Sequence, residues 1–468
     1  MKIRYKKSYV AVIMASVLFG CASDTTPEET IKTEAIPYTE PLTLITPTNA
    51  SSTNKKNQVI SLQEAASLVV NYHPRVAMAI SNARGEEEMI DVAKANYYPQ
   101  IQGGVSYGYQ NNSQENSSSV PKSVNVEVEQ TLYDFGKTSS AVDSAEYGHQ
   151  SAKVNVDATR EKLIHEATHA VIESVRYQQL SQLAKAQAAQ VESLVNLIEG
   201  REEKGASNLS DVLHVRARLD EVQFEELDFI AQHDTQIQNL SYLIGIPVTK
   251  GTTVKNFPKE LDQACSMPIE WNNIPDYVIA DIEAKRAITD LEAAAAAEMP
   301  TIYASGVLGY DLEKDRNPIY NSRADSRVAI NFSMPIYQGG GLAAQKRASE
   351  SRTQAAAARK EEIKLGISQV MSDSEIRLNS MISRQSLLEQ RVENLKGTRD
   401  LYKKQYLDLG TRTLVDLLNS EQEFYRAQVE VANNQLNVIQ TKIDCAFYNG
   451  KLDEFFNDAK NPLSGLPL

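Results

Sequence analysis

The chain is 468 residues long, 42% hydrophobic and 23% charged, with a formal net charge of −13. That balance excludes a disordered polymer and a polytopic bundle of membrane helices. The acidic surplus, with no basic patch, excludes nucleic acid as a partner.

Lys2, Arg4, Lys6 and Lys7 precede an apolar run from Tyr9 to Phe19. The run falls short of the roughly 20 residues a spanning helix needs, so residues 1–20 read as a secretory signal. It ends in Leu18-Phe19-Gly20-Cys21, which resembles a bacterial lipobox, although Phe19 is bulkier than the usual small residue. Cys21 is the expected lipidation site; the alternative is an ordinary signal with an incidental Cys. Ala22 follows, as in lipoproteins sent on to the outer membrane. Residues 21–58, rich in Thr, Pro, Ser and Asn, cannot bury a core and read as the lipidated Cys followed by a flexible tether.

The body then repeats itself. Tyr97-Tyr98-Pro99-Gln100-Ile101 matches Glu298-Met299-Pro300-Thr301-Ile302, and Leu132-Tyr133-Asp134-Phe135-Gly136 matches Ile336-Tyr337-Gln338-Gly339-Gly340. Gly205, Leu209 and Asp211 match Gly410, Leu414 and Asp416. The common offset is about 200 residues, too long for a solenoid repeat, and points to a duplicated unit. The first unit spans 59–245, a linker 246–274, the second unit 275–450, and a tail 451–468.

Each unit opens with a β-hairpin, 99–133 and 300–337. Val124, Val126 and Val128 alternate with Asn125, Glu127 and Glu129. Val328, Ile330, Phe332, Met334 and Ile336 alternate with Arg327, Ala329, Asn331, Ser333 and Pro335. Ile101, Val105, Tyr107 and Tyr109, then Ile302, Ala304, Leu308 and Tyr310, supply the partner strands, joined by the polar loops 111–119 and 313–321. Period two sorts these residues onto opposite faces. Apolar outside and polar inside is the pattern of a transmembrane β-barrel; a soluble hairpin with one buried face has the same period.

Helices follow, as hairpins over 137–244 and 342–448. From Lys137 to Lys204 there is no Pro, and Leu180, Leu183, Ala184, Val191, Leu194, Val195 and Ile198 recur at helical spacing. A helix of about 68 residues is roughly 100 Å long, a length that suits a coiled coil or a hollow cylinder. Four strands cannot close a barrel in lipid, so several chains must combine; the residues alone do not choose between two and three.

The segments Phe332-Ser333-Met334-Pro335-Ile336-Tyr337-Gln338-Gly339-Gly340 and Leu409-Gly410-Thr411-Arg412-Thr413-Leu414-Val415-Asp416-Leu417-Leu418 resemble the TolC family of outer-membrane efflux and secretion proteins over roughly residues 60–450. The resemblance implies an α+β membrane protein: a homotrimer whose 12-stranded β-barrel continues into a periplasmic α-helical barrel. It also implies an outer-membrane location, a periplasmic adaptor protein, and an inner-membrane pump of the RND or ABC type. Docking would use the helix tips, at Gly205, Leu209, Gly410, Thr411 and Leu414. The gate implied there places Asp416 in one constricting ring and Asn419, where the family carries Asp, in a second. Arg412 falls at the gating arginine, with Ser210 and Asp211 as its partner region, and Leu407 at the gating tyrosine, with Tyr406 one place off. In this fold Cys265 and Cys445 both reach the mid-height belt, which suggests a disulfide between them.

His165-Glu166-Ala167-Thr168-His169 is a literal HExxH. Two His at i and i+4 can hold zinc with Glu as base, but the downstream acids Glu192 and Glu199 lie on the same helix and cannot fold back. It reads as a chance match, with no metal and no cofactor expected. Nucleophile elbow, phosphate loop and dinucleotide fingerprint are all missing from the sequence. The function expected is a passive exit duct for efflux or type I secretion. Other classes left open are a coiled-coil lipoprotein that tethers membranes and, last, a zinc metalloprotease.

Overall fold

The computed structural model describes residues 59–108, 110–112, 117–119, 122–255, 257–312 and 324–456. The first signal, Cys21 and the tether lie outside them. So does the loop 313–321.

Strand β1 (Ile60–Ser61) leads into α1 (Leu62–Tyr72) and α2 (Pro74–Lys94). Ser61 caps α1 in a reciprocal box with Glu64, satisfying two of the free N–H groups at the helix start. Pro74 opens α2, where its missing N–H costs nothing. Then come β2 (Gln100–Tyr107), the short β3 (Gln110–Asn112) and β4 (Ser117–Ser119), and β5 (Lys122–Tyr133). The 66-residue α3 (Lys137–Glu202) is followed by α4 (Leu209–Ile244) and β6 (Thr252–Thr253). The second half holds α5 (Pro275–Ala296), β7 (Thr301–Asp311), β8 (Ala324–Ser333), α6 (Gly341–Lys404), α7 (Leu414–Tyr448) and α8 (Leu452–Phe456). The order helix, hairpin, long helix, shorter helix therefore occurs in both halves.

Several details depart from the sequence expectations. α2 and α5 precede the hairpins and were not anticipated. The alternation through Ile336 outruns β8, which stops at Ser333; Pro335 has no N–H to give a ladder. The polar loop 111–119 carries its own ladder, β3 against β4. The tail contains α8, so order extends past residue 450.

Both strand-to-helix corners use two consecutive residues with positive φ. They are Phe135 (55°) with Gly136 (98°), and Gly339 (61°) with Gly340 (80°). Glycine fits that region without a Cβ clash, which explains Gly339 and Gly340 at the second corner. At the first corner Asp134 accepts from Gly136 N (3.1 Å) and Thr138 N (2.8 Å), holding the turn.

The main apolar core lies where α1, α3 and α7 meet, with Leu163, Ile164, Ile172, Ile443 and Leu452 fully buried. β1 pairs in parallel with β6 beside it. Leu261, from the linker between the halves, enters the same core.

Candidate functional site

Strands β2, β5, β7 and β8 form one antiparallel sheet in that order. Its register sets like against like. Ile101 faces Val128, and Val105 faces Val124. Val126 faces Leu308 and Val124 faces Tyr310. Ala304 faces Ile330 and Ile302 faces Phe332. On the other face Gln102 meets Glu127, Asn125 meets Gly309, and Ser305 meets Ala329. One face is thus mostly apolar across four strands, interrupted by Gln130 and Ser326, and the other mostly polar, with Val307 and Tyr303 among its residues. The apolar face is open: Val105 is 78% exposed, Val328 86% and Ile330 75%. Among the described residues β2 and β8 each have one strand neighbour, so both sheet edges carry unpaired backbone groups.

At the far ends of the helices, Gly205 and Gly410 turn the chain with φ of 73° and 62°. A π-helical turn, Gln405–Leu409, precedes Gly410 and buries Tyr406. The two tips pack together: Val191, Leu194 and Ile198 of α3 and Val215 of α4 share a cluster with Leu414 and Leu417 of α7. Leu209, Leu213, Leu409 and Val415 stay exposed around it. Thr413 caps α7 and Asp416 completes the box, accepting from Thr413 N at 3.2 Å. Hydrogen bonds from the Thr413 backbone and side chain hold the Asp416 carboxyl below its ordinary range. Asn419 lies one turn along α7 and is exposed.

Arg412 stays within its own hairpin. Its guanidinium lies 4.3 Å from the Tyr402 ring centroid and donates to Gln405 Oε1 at 3.3 Å. Among the described residues no hydrogen bond or ion pair within this chain joins Arg412 to Ser210 or Asp211. A link between the return helices of the two hairpins lies elsewhere: Arg218 of α4 donates to Gln422 Oε1 of α7, and also pairs with Glu221. Sequence reading did not single out Arg218 or Gln422, which are 204 residues apart.

At the belt, Cys265 and Cys445 form a disulfide, with Sγ–Sγ 2.00 Å and Cα–Cα 5.0 Å. Next to it, Asp444 Oδ1 accepts from Nε2 of His165 and of His169, each at 2.7 Å. Burial raises the Asp444 carboxyl, but the hydrogen bonds from His165 and His169 outweigh it and bring it down to about 2. Glu166 is spent on Arg75, which donates to both of its oxygens at 2.9 and 2.8 Å. Asp444 was not among the candidates from sequence, because it lies on another helix, 279 residues from His165. Deeper in the core, Glu161 accepts from Leu452 N (3.1 Å) and Asp453 N (3.0 Å), capping α8. Among the described residues no helix is long and apolar enough to cross a membrane.

A family model described as "Outer membrane efflux protein" matches residues 66–246 and 272–450. Outer membrane protein TolC of Escherichia coli (strain K12) is 23% identical over 417 residues, covering 84% of this chain and 84% of that protein. The pyoverdine export outer membrane protein OpmQ of Pseudomonas putida is 21% identical over 415 residues, covering 82% and 84%. Among solved structures, the outer membrane protein VceC of Vibrio cholerae superposes with a TM-score of 0.73 at 18% identity, covering 83% of this chain and 96% of that one.

Proposed function

This chain belongs to the outer membrane efflux protein family, and from that membership we propose how it works as a passive exit duct. It is an outer-membrane channel for efflux or secretion, in a family of channels and not of enzymes. The observation that carries the reading is the two-faced sheet with open edges. An apolar face this exposed suits lipid, and its polar reverse suits an aqueous bore. Open edges are not tolerated in lipid, so β2 of one copy pairs with β8 of the next. Three copies give a closed barrel of twelve strands, within the known range of closed outer-membrane barrels. The repeated element order supports descent by internal duplication.

The helices continue the bore into the periplasm. The exposed Leu209, Leu213, Leu409 and Val415 at the tips offer an apolar rim for a periplasmic adaptor protein, which couples the duct to an inner-membrane pump. Asp416 and Asn419, three residues apart on α7, face the bore as successive rings. With Asn419 uncharged, a trimer carries three carboxylates where two Asp rings would carry six, so the closed tip holds cations weakly. The hairpins are held by the shared tip cluster and by Arg218–Gln422, with Arg412 ordering the Gln405 turn. Cys21 would carry the lipid that anchors the chain's start to the inner leaflet of the outer membrane. Replacement by Ser should abolish incorporation of labelled fatty acid.

The deciding experiment is the mass and conductance of detergent-purified protein. Three chains per particle, with ion conductance in planar bilayers, are expected; a monomer that passes no ions sinks the reading and favours a membrane-tethering coiled coil.

A further inference from the structure

We propose that His165, His169 and Asp444 form a binding site for one divalent cation of the zinc class, linking α3 to α7 at the belt.

His165 and His169 are one helical turn apart on α3, so both imidazoles leave the same face. Asp444 comes from α7 and meets them. The nearest donor atoms of the three residues all lie within 4.8 Å of one another. Two imidazole nitrogens and one carboxylate are the protein donors of open zinc sites. Imidazole nitrogen also selects zinc, copper or nickel over magnesium and calcium, which prefer oxygen.

The shared oxygen already gathers both rings. Each Nε2 is 2.7 Å from Asp444 Oδ1. Ligands at about 2.0–2.2 Å around a tetrahedral ion stand roughly 3.3 Å apart, so seating a cation asks each ring to withdraw by well under 1 Å.

The surroundings hold the three groups in place. The His165 ring stacks on Phe447 at 4.4 Å. Gln440 Nε2 is 3.3 Å from His169 Nδ1, and Arg176 donates to Gln440 Oε1 at 3.1 Å. Because Arg can only donate, the Gln440 amide nitrogen is the end facing Nδ1, and the metal-free His169 keeps its proton on Nε2. Metal capture at Nε2 moves that proton to Nδ1, and the Gln440 amide then gives up its contact with the ring while keeping the one with Arg176. The residue after Asp444, Cys445, is tied to Cys265 by the disulfide, which restrains the α7 backbone there.

Access exists as well. A cleft of about 560 Å³, lined among others by His73, His165, Glu166, His169 and Tyr242, opens onto the imidazoles. It reaches the two imidazoles from the side of His73 and Tyr242, and Asp444 closes them off from α7 without lining it. Glu166 is engaged by Arg75 on both oxygens, so the site proposed is one of binding, with no role in it for Glu166. The partner sequence reading sought on α3 itself is supplied by α7.

The test uses the full chain in detergent, stripped with chelator and titrated with zinc chloride. One ion per chain is expected, with affinity falling by more than about tenfold in Asp444→Asn and binding lost in the double variant His165→Gln/His169→Gln. No saturable binding, or binding unchanged in the double variant, overturns the proposal. Should the variants fail to fold, copper(II) added to the wild-type chain gives a second reading by electron paramagnetic resonance. Coupling to two imidazole nitrogens supports the site; a spectrum without imidazole nitrogen overturns it. Neither readout depends on transport activity.

Discussion

Arg218 reaches from α4 to Gln422 on α7 and ties the return helices of the two hairpins together. Its side chain is mostly buried, at 17% exposure, with Glu221 as a second partner. A hydrogen bond from a charged donor contributes about 1.5–3 kcal/mol. Outward movement of one hairpin relative to the other must break it. Arg218→Ala or Gln422→Ala should therefore raise the open population of the reconstituted channel by about tenfold or more. Arg412→Ala should do less, since its contacts to Tyr402 and Gln405 travel with its own hairpin. Single-channel recording in planar bilayers checks both; equal conductance in wild type and Arg218→Ala would remove the link from the gate.

The disulfide closes a loop of 180 residues, joining the linker between the halves to α7. Cross-linking over so long a loop restricts the unfolded chain strongly, and loss of a native disulfide typically costs about 2–5 kcal/mol. Cys265→Ser, or reduction of the wild-type chain, should lower the thermal midpoint in detergent and expose the linker to protease first. Unchanged melting and unchanged linker cleavage would show that the packing of Leu261 and Ala264, with the Lys442–Asp262 and Asn449–Ala264 contacts, holds the linker without the disulfide.

What the residues revealed follows from what is local. The strands were legible because a sheet with one apolar and one polar face must alternate, as Val328, Ile330 and Phe332 do with Arg327, Ala329 and Asn331. The long helices were legible from uninterrupted length, and the tips from Gly205 and Gly410. The family motifs pointed to Arg412 and Asp416, but a motif does not say whose side chain each one meets. The pairs that need three-dimensional register left no trace in sequence: Asp444 with His165 and His169, Glu161 with the start of α8, and Arg218 with Gln422. Helices α2 and α5 were missed for a related reason. Their apolar faces are weak, with Ala79, Ala83, Ala280 and Ala294 doing much of the buried contact.

Glu161 gives the chain a pH dependence of its own. Burial pushes its carboxyl from an ordinary value of 4.5 up to about 8, and the carboxylates of Asp453 and Asp157 add to the rise. Backbone N–H groups of Asp453 and Leu452 oppose it. Arg160 and Lys153 act on Asp157 next to it. The folded chain therefore holds a proton that the unfolded chain releases between those two values. Its contribution is fully present below pH 4.5 and is lost as pH rises through about 8. Docking of α8 should weaken across that window by a few kcal/mol. Limited proteolysis of the C-terminal segment from pH 5 to 8 should show rising cleavage, and Glu161→Gln should flatten the curve. Cleavage that falls with rising pH would reverse the assignment.

The sheet itself makes the sharpest prediction, because adjacent residues of one strand are assigned to different solvents. Ile330 and Ala329 sit side by side in β8, and the pleat sends them to opposite faces. Ile330 faces Ala304 on the apolar side, while Ala329 faces Ser305 on the polar side, flanked by Arg327 and Asn331. Arginine facing lipid near the bilayer midplane costs about 2–4 kcal/mol, and far less where it meets water. Ile330→Arg should therefore cut the amount of folded channel recovered in outer membranes, whereas Ala329→Arg should assemble normally and alter conductance or ion preference. A soluble sheet with a buried apolar face would also reject Ile330→Arg, but its neighbour would leave ion flow untouched. The pair of outcomes thus separates a bore from a packed surface: assembly lost at one residue and permeation changed at the next is a result only a lipid-facing wall around water gives.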